Sequence, residues 1–163
     1  MVYDAPYGTN VREFQIERME DAQDIYKPQV VLEVGHPGDY QELLDGIWGC
    51  DVESVDPHLE QATHKVKFED FEPTKRYDLV HMGSVLDYLD DPVGCLHKAR
   101  NCGNAILLQC RLNTYVSPYF KPNYWTPTRK WVEKRAAIEL GLVEVNWMDF
   151  QGTQFFSICG RTR

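Results

Sequence analysis

Val30-Val31-Leu32-Glu33-Val34-Gly35-His36-Pro37-Gly38-Asp39 is the stretch on which the fold turns. A short apolar run rich in β-branched residues, closed by Gly-His-Pro-Gly, predicts a buried central strand over Gln29 to Gly35 and then a tight turn. Asp39 to Trp48 then carries Leu43, Leu44 and Ile47 at the spacing of one side of a short helix. A buried strand followed by a helix is the opening unit of a parallel sheet covered on its faces.

Upstream, Val11, Phe14, Met19, Ala22 and Ile25 recur near helical spacing, which predicts a helix from Thr9 to Lys27. Thr9 or Asn10 can cap its start, and Pro28 ends it. Downstream, Val52 to Asp56 reads as a second strand stopped by Pro57. Lys65 to Phe68 reads as a short third strand, and Tyr77 to Met82 as a fourth. Val85 to Arg100 has a helical pattern that Pro92 divides, or whose longer half it starts. Asn104 to Leu112 is a fifth strand. A loop rich in proline and aromatic residues fills Asn113 to Trp125. Thr126-Pro127 then predicts a helix start, with the helix running to about Leu140 and Gly141 as its cap. Leu142 to Phe150 and Gln154 to Cys159 form a closing antiparallel hairpin. The expected fold class is α/β: a three-layer sandwich with a mostly parallel sheet, compressed between strands 2 and 4.

Length and composition narrow the function. The 163 residues suit a single domain, residues 1–163, with an N-terminal extension and helix over 1–27 and the core over 28–163. A net charge of -8 argues against a nucleic-acid partner, whose phosphates call for clustered Lys and Arg. Arg129, Lys130, Lys134 and Arg135 read as the solvated face of a helix. The five cysteines are odd in number and have no C-x-x-C spacing, which argues against a disulfide framework or a zinc site. The five histidines lack metal-ligand spacing, so no metal is expected. MVYDAPYGTN has no signal-peptide core and no apolar run approaches a membrane span, so the expected location is cytoplasmic. There is no phosphate loop G-x-x-x-x-G-K-S/T and no nucleophile elbow G-x-S-x-G. Following the fourth strand there is no Asn/Asp-Pro-Pro-Tyr/Trp, and no Pro-Cys pair occurs anywhere.

Four segments in order resemble the class I (Rossmann-like) S-adenosylmethionine-dependent methyltransferases: VVLEVGHPGD, VESVDPH, YDLVHMGSVLDYLDDP and WVEKRAAIELGLVEVNW. The resemblance covers roughly Pro28 to Arg163. It implies a seven-stranded sheet ending in a β-hairpin, an S-adenosylmethionine cofactor, and methyl transfer to an oxygen or nitrogen of a small molecule. The family turn is commonly Gly-x-Gly-x-Gly. Here only Gly35 of Gly35-His36-Pro37-Gly38 is in register.

By this resemblance the cofactor site comprises Glu33, Gly35, His36, Asp56, Glu69, Asp70, Phe71, His81 and Met82. Glu33 would hold the methionine end, and Gly35 would let the backbone approach closely. Asp56 would accept from the ribose hydroxyls. Glu69 or Asp70 would face the adenine amine, with Phe71 against the ring, and the turn from His81 to Ser84 would meet the methionine portion. Plainer readings stand beside these: a strand end for Glu33, a turn former for Asp56, a solvated surface for Glu69 and Asp70. His81, at the carboxyl end of a central strand, is the catalytic candidate, a general base near neutral pKa. Its alternative is a hydrogen-bonded structural histidine. Asp39 and Tyr88 are weaker candidates for the same cleft.

Tyr115, Tyr119, Tyr124 and Trp125 would bind substrate as an aromatic wall or lid, along with Phe120. Equally, they would pack on the sheet edge or form a homodimer contact. Two rivals differ in class. One is a degenerate methyltransferase-like domain that binds a partner without chemistry, and the other is a Rossmann enzyme using a nicotinamide cofactor.

Overall fold

The computed structural model describes residues 7–35, 46–112, 127–136, 144–150 and 153–162. Helix α1 (Tyr7–Tyr26) precedes strands β1 (Val30–Val34), β2 (Asp51–Val55) and β3 (Tyr77–Gly83). Helix α2 (Pro92–Cys102) and strand β4 (Gly103–Arg111) follow, then β5 (Glu144–Phe150) and β6 (Thr153–Arg161). The sheet order is β2-β1-β3-β4-β6-β5. β1 pairs in parallel with β2 and β3, and β3 with β4; β6 runs antiparallel to both β4 and β5. The expected closing hairpin is present, and its second strand is the one inserted beside β4.

Local chemistry explains the boundaries. α1 stops because Lys27 adopts a left-handed backbone, φ 45°, and Pro28 offers no N–H to continue. α2 starts at Pro92, with the Asp91 side chain accepting from Gly94 N at 3.0 Å. Pro92 therefore starts the longer half of the expected helix. The earlier half is reduced to a 3-10 turn at Leu86–Tyr88.

Among the described residues the sheet has six strands where the resemblance implies seven. Lys65 to Phe68 is not a strand. The chain touches β2 earlier, at a single bridge between Val55 and His64, and then forms a 3-10 turn at Phe68–Asp70. Too few residues separate Pro57 from this region for the crossover that a parallel neighbour needs. Side chains finish the edge instead: Thr63 Oγ1 accepts from Ser54 N at 3.0 Å, and Ser54 Oγ accepts from Thr63 N at 3.1 Å.

Helical layers cover both faces. One core joins Leu32, Val34, Val80, Met82, Ile106 and Leu108 to Leu96 and Ala99 of α2. The second joins Val31, Leu79, Ala105 and Leu107 to Met19 and Ala22 of α1 and to Trp48. Ile25, expected on the buried stripe of α1, is 56% exposed near the end of the helix. Residues 46–48 are helical, and the rest of the helix expected over Asp39 to Trp48 lies outside the described residues. So do the loop from Asn113 to Trp125 and the helix end at Gly141. Between them, Trp131–Ala136 is π-helical.

Candidate functional site

In an open parallel sheet, ligands gather beyond the carboxyl ends of the strands. There β1 is followed by Gly35, β2 by Asp56 and β3 by Ser84. Gly35 has φ 84°, a conformation that glycine adopts without strain. A Cβ there would lie 3.2 Å from Val85 Cγ2, so the turns after β1 and β3 are in close contact. Gly35 N also donates to Val55 O at 2.9 Å, which ties the turn to β2. Asp56 follows β2 directly. Its Oδ1 accepts from the backbone N–H groups of His58 at 2.7 Å and Leu59 at 3.1 Å, which fixes the carboxylate at the strand end.

Beneath these ends runs a buried polar string. Trp48 Nε1 donates to Glu33 Oε1 at 2.8 Å. His81 Nδ1 lies 2.7 Å from Glu33 Oε2, and His81 Nε2 lies 2.7 Å from Gln109 Oε1. Gln109 Nε2 in turn donates to the carbonyl of Gln15 on α1, at 3.1 Å, and lies 3.5 Å from Ser157 Oγ. Glu33, His81, Gln109 and Ser157 are all buried. Glu33 and His81 sit opposite each other in the β1–β3 register.

The partners fix the protonation state of His81. A carboxylate only accepts, and the Gln109 oxygen faces the ring because its nitrogen is committed to Gln15. Both ring nitrogens must therefore carry protons. Burial alone would lower the pKa of His81, but the Glu33 charge, the Glu33 hydrogen bond and the Gln109 bond outweigh it and raise the pKa above 6.5. A histidine that already holds two protons, with both nitrogens occupied, cannot act as a general base. The geometry instead matches the structural alternative.

Other expected residues are placed as follows. Met82 is fully buried in the core under α2, because alternation along β3 sends it to the face opposite His81. Phe71 is also buried, with ring centroids 6.1 Å from Phe68 and 4.9 Å from His64. Without a third strand the 68–71 turn covers the sheet itself, so the Phe71 ring fills core instead of facing an open adenine site. Glu69 Oε1 accepts from Asp90 N at 2.7 Å and so joins this turn to the start of α2. Lys98 of α2 donates to the carbonyls of Phe68, Glu69 and Phe71. Asp70 and Tyr88 are exposed. His36, Asp39, Tyr115, Tyr119, Phe120, Tyr124 and Trp125 lie outside the described residues.

Trp48, Gln109, Ser157 and Gln15 were missed by the sequence reading. Gln109 carried a signal, since a glutamine inside NAILLQCRL must find partners once buried. So did Trp48, whose indole N–H needs an acceptor.

No family profile matches the chain, and no curated protein matches it in sequence. Solved structures do match. The N-methyltransferase NodS from Bradyrhizobium japonicum WM9, in complex with S-adenosyl-L-homocysteine, aligns with a TM-score of 0.73 at 16% identity, over 98% of this chain and 89% of that one. The plantazolicin methyltransferase BpumL in complex with S-adenosylhomocysteine aligns at 0.67 and 13% identity, over 96% and 89%. The N-terminal domain of EvdMO1 with S-adenosylhomocysteine bound aligns at 0.66 and 13% identity, over 100% and 90%. The chain has the class I methyltransferase fold. Within that fold the described residues form a six-stranded sheet without a strand at Lys65 to Phe68.

Proposed function

We propose that this chain is an S-adenosylmethionine-dependent methyltransferase acting on an oxygen or nitrogen of a small molecule. The observation that carries the reading is the pairing of Gly35 and Asp56 at adjacent strand ends, in a fold shared with the neighbours above. Gly35 supplies a turn without a side chain in the cleft, and Asp56 supplies an oriented carboxylate for a ribose diol. His36 and the backbone from His81 to Ser84 would flank the methionine portion, with Asp70 and Glu69 toward the adenine side. Tyr115, Tyr119, Tyr124 and Trp125 would line the acceptor site.

When bound, the cofactor supplies a methyl group already activated on a sulfonium. The protein's task is then alignment and exclusion of water. In this reading Glu33 and His81 support the strand ends from below and do not touch the acceptor.

Calorimetric titration with S-adenosylmethionine and S-adenosylhomocysteine tests the proposal. Binding is expected, and no heat at millimolar ligand would sink it. Asp56→Ala should weaken binding by about 1–3 kcal/mol, the worth of a charge-assisted hydrogen bond. An unchanged affinity would remove the ribose assignment. The second reading, a domain that binds a partner without chemistry, draws on the commitment of both Glu33 oxygens inside the fold and on His36-Pro37 in the glycine turn. It predicts no cofactor heat. A nicotinamide enzyme would respond to NADH instead.

A further inference from the structure

The turn after β3 holds a serine in the left-handed region, Ser84 at φ 54°. A non-glycine residue there is strained, and it persists only where its surroundings over-determine it. Two bonds do so. Ser84 N donates to Gln109 O at 2.7 Å, which extends the contact with β4 past the end of β3. Ser84 Oγ accepts from Gln15 Nε2 at 2.7 Å, a contact across 69 positions of sequence. The carbonyl of the same Gln15 accepts from Gln109 Nε2, so α1 is fixed to β4 at this point by its backbone as well.

The consequence reaches the cleft. Val85, the next residue, packs on Gly35. The conformation of Ser84 therefore sets how the turn after β3 meets the turn after β1. Gln15 is the side chain from outside the sheet that holds Ser84 in that conformation.

We propose that Gln15 is a positioning residue of the cofactor site, acting through Ser84 to hold the turn after β3 against Gly35. This rests on the cofactor reading above. It gives α1 a role in the frame of the site beyond covering the sheet. It also explains a glutamine at this place: its amide reaches Ser84 Oγ as a donor, while its backbone stays in the helix.

Calorimetric titration with S-adenosylhomocysteine, on the wild-type chain and four variants, tests it. Gln15→Leu removes the donor and keeps the carbonyl bond to Gln109, and should bind about 3- to 10-fold more weakly, the scale of one net hydrogen bond. Ser84→Ala should lose a similar factor. The double variant should bind no more weakly than the weaker single, because both remove one shared contact. Gln15→Glu should return to within about two-fold of wild type, with the Ser84 hydroxyl now donating to the carboxylate. A general loss of packing would not be rescued in this way. If wild type binds while Gln15→Leu binds equally well, if the two single losses multiply, or if Gln15→Glu fails to rescue, the positioning role is overturned and the cofactor reading stands. If wild type itself does not bind, both fall.

Discussion

The two faces of this sheet are built from alternate residues of the same strands, yet they end differently. Under α2, the residues Leu32, Val34, Val80, Met82, Ile106, Leu108, Phe156 and Ile158 keep the row apolar up to the layer just below the carboxyl ends. Under α1, the rows begin apolar with Val31, Leu79, Ala105 and Leu107, then turn polar at Glu33, His81, Gln109 and Ser157. The change falls in the layer just below the carboxyl ends, where the candidate cleft lies. A charged pair in such a place seldom improves on well-packed apolar residues, because desolvation offsets most of its attraction. The α2 face is therefore the one that holds the fold, and the polar half of the α1 face is there to fix geometry.

Removing one partner from the polar row should give the largest effect. Glu33→Leu leaves the His81 cation and the Trp48 indole without their acceptor in a dry layer. We expect a loss of about 3–5 kcal/mol in urea unfolding, the cost of breaking a buried pair from one side. Replacing Glu33, His81 and Gln109 together by leucine should recover much of that loss and still fail to bind S-adenosylhomocysteine. A triple variant that binds like wild type would end the distinction between the two faces.

The apolar face should respond in the ordinary way of a packed core. Leu108→Ala should cost about 2–5 kcal/mol through lost burial and a residual cavity. Ile158→Val, directly across from Leu108 in the β4–β6 register, should cost about 0.5–1.5 kcal/mol. Neither should change the pH dependence of stability. If the midpoint of either variant shifts with pH differently from wild type, the two faces are not independent.

Most strand positions and the closing hairpin were legible because they follow from short-range pattern. Gln29 to Gly35, Tyr77 to Met82 and the hairpin each announce themselves by apolar runs with glycine or proline at the ends. The third strand was misread because Lys65 to Phe68 alternates correctly, while the room for a crossover is a property of the chain on both sides. The acid before the glycine turn drew attention to Glu33. Its partners were hidden because Trp48, His81 and Gln109 meet only through the register of three strands and the end of a helical turn. His81 was visible as a residue and not as a state, since its second proton follows from which way the Gln109 amide faces.

That second proton gives the smallest and most specific test, because it removes no heavy atom. The native pKa of His81 is raised above the ordinary 6.5, so its contribution to stability is complete below about pH 6.5 and is lost as pH rises through the native value. Glu53 acts at the other end. Burial would raise its pKa, but hydrogen bonds from Tyr77 and Lys75 hold it below 4.5, so its contribution is lost only as pH falls through that lower value. The urea midpoint should therefore be highest between about pH 4.5 and 6.5 and decline above it. His81→Gln should flatten the alkaline decline and leave the acid side unchanged. Losing the proton also sets the Nε2 lone pair against Gln109 Oε1, and the amide can answer only by turning, which breaks its bond to Gln15. The Trp48 ring centroid lies 5.9 Å from that of His81, so indole emission should change over the same pH range as the midpoint. A midpoint that holds steady or rises above pH 6.5 would mean that His81 is neutral in the native state and that the polar row is not an ion pair.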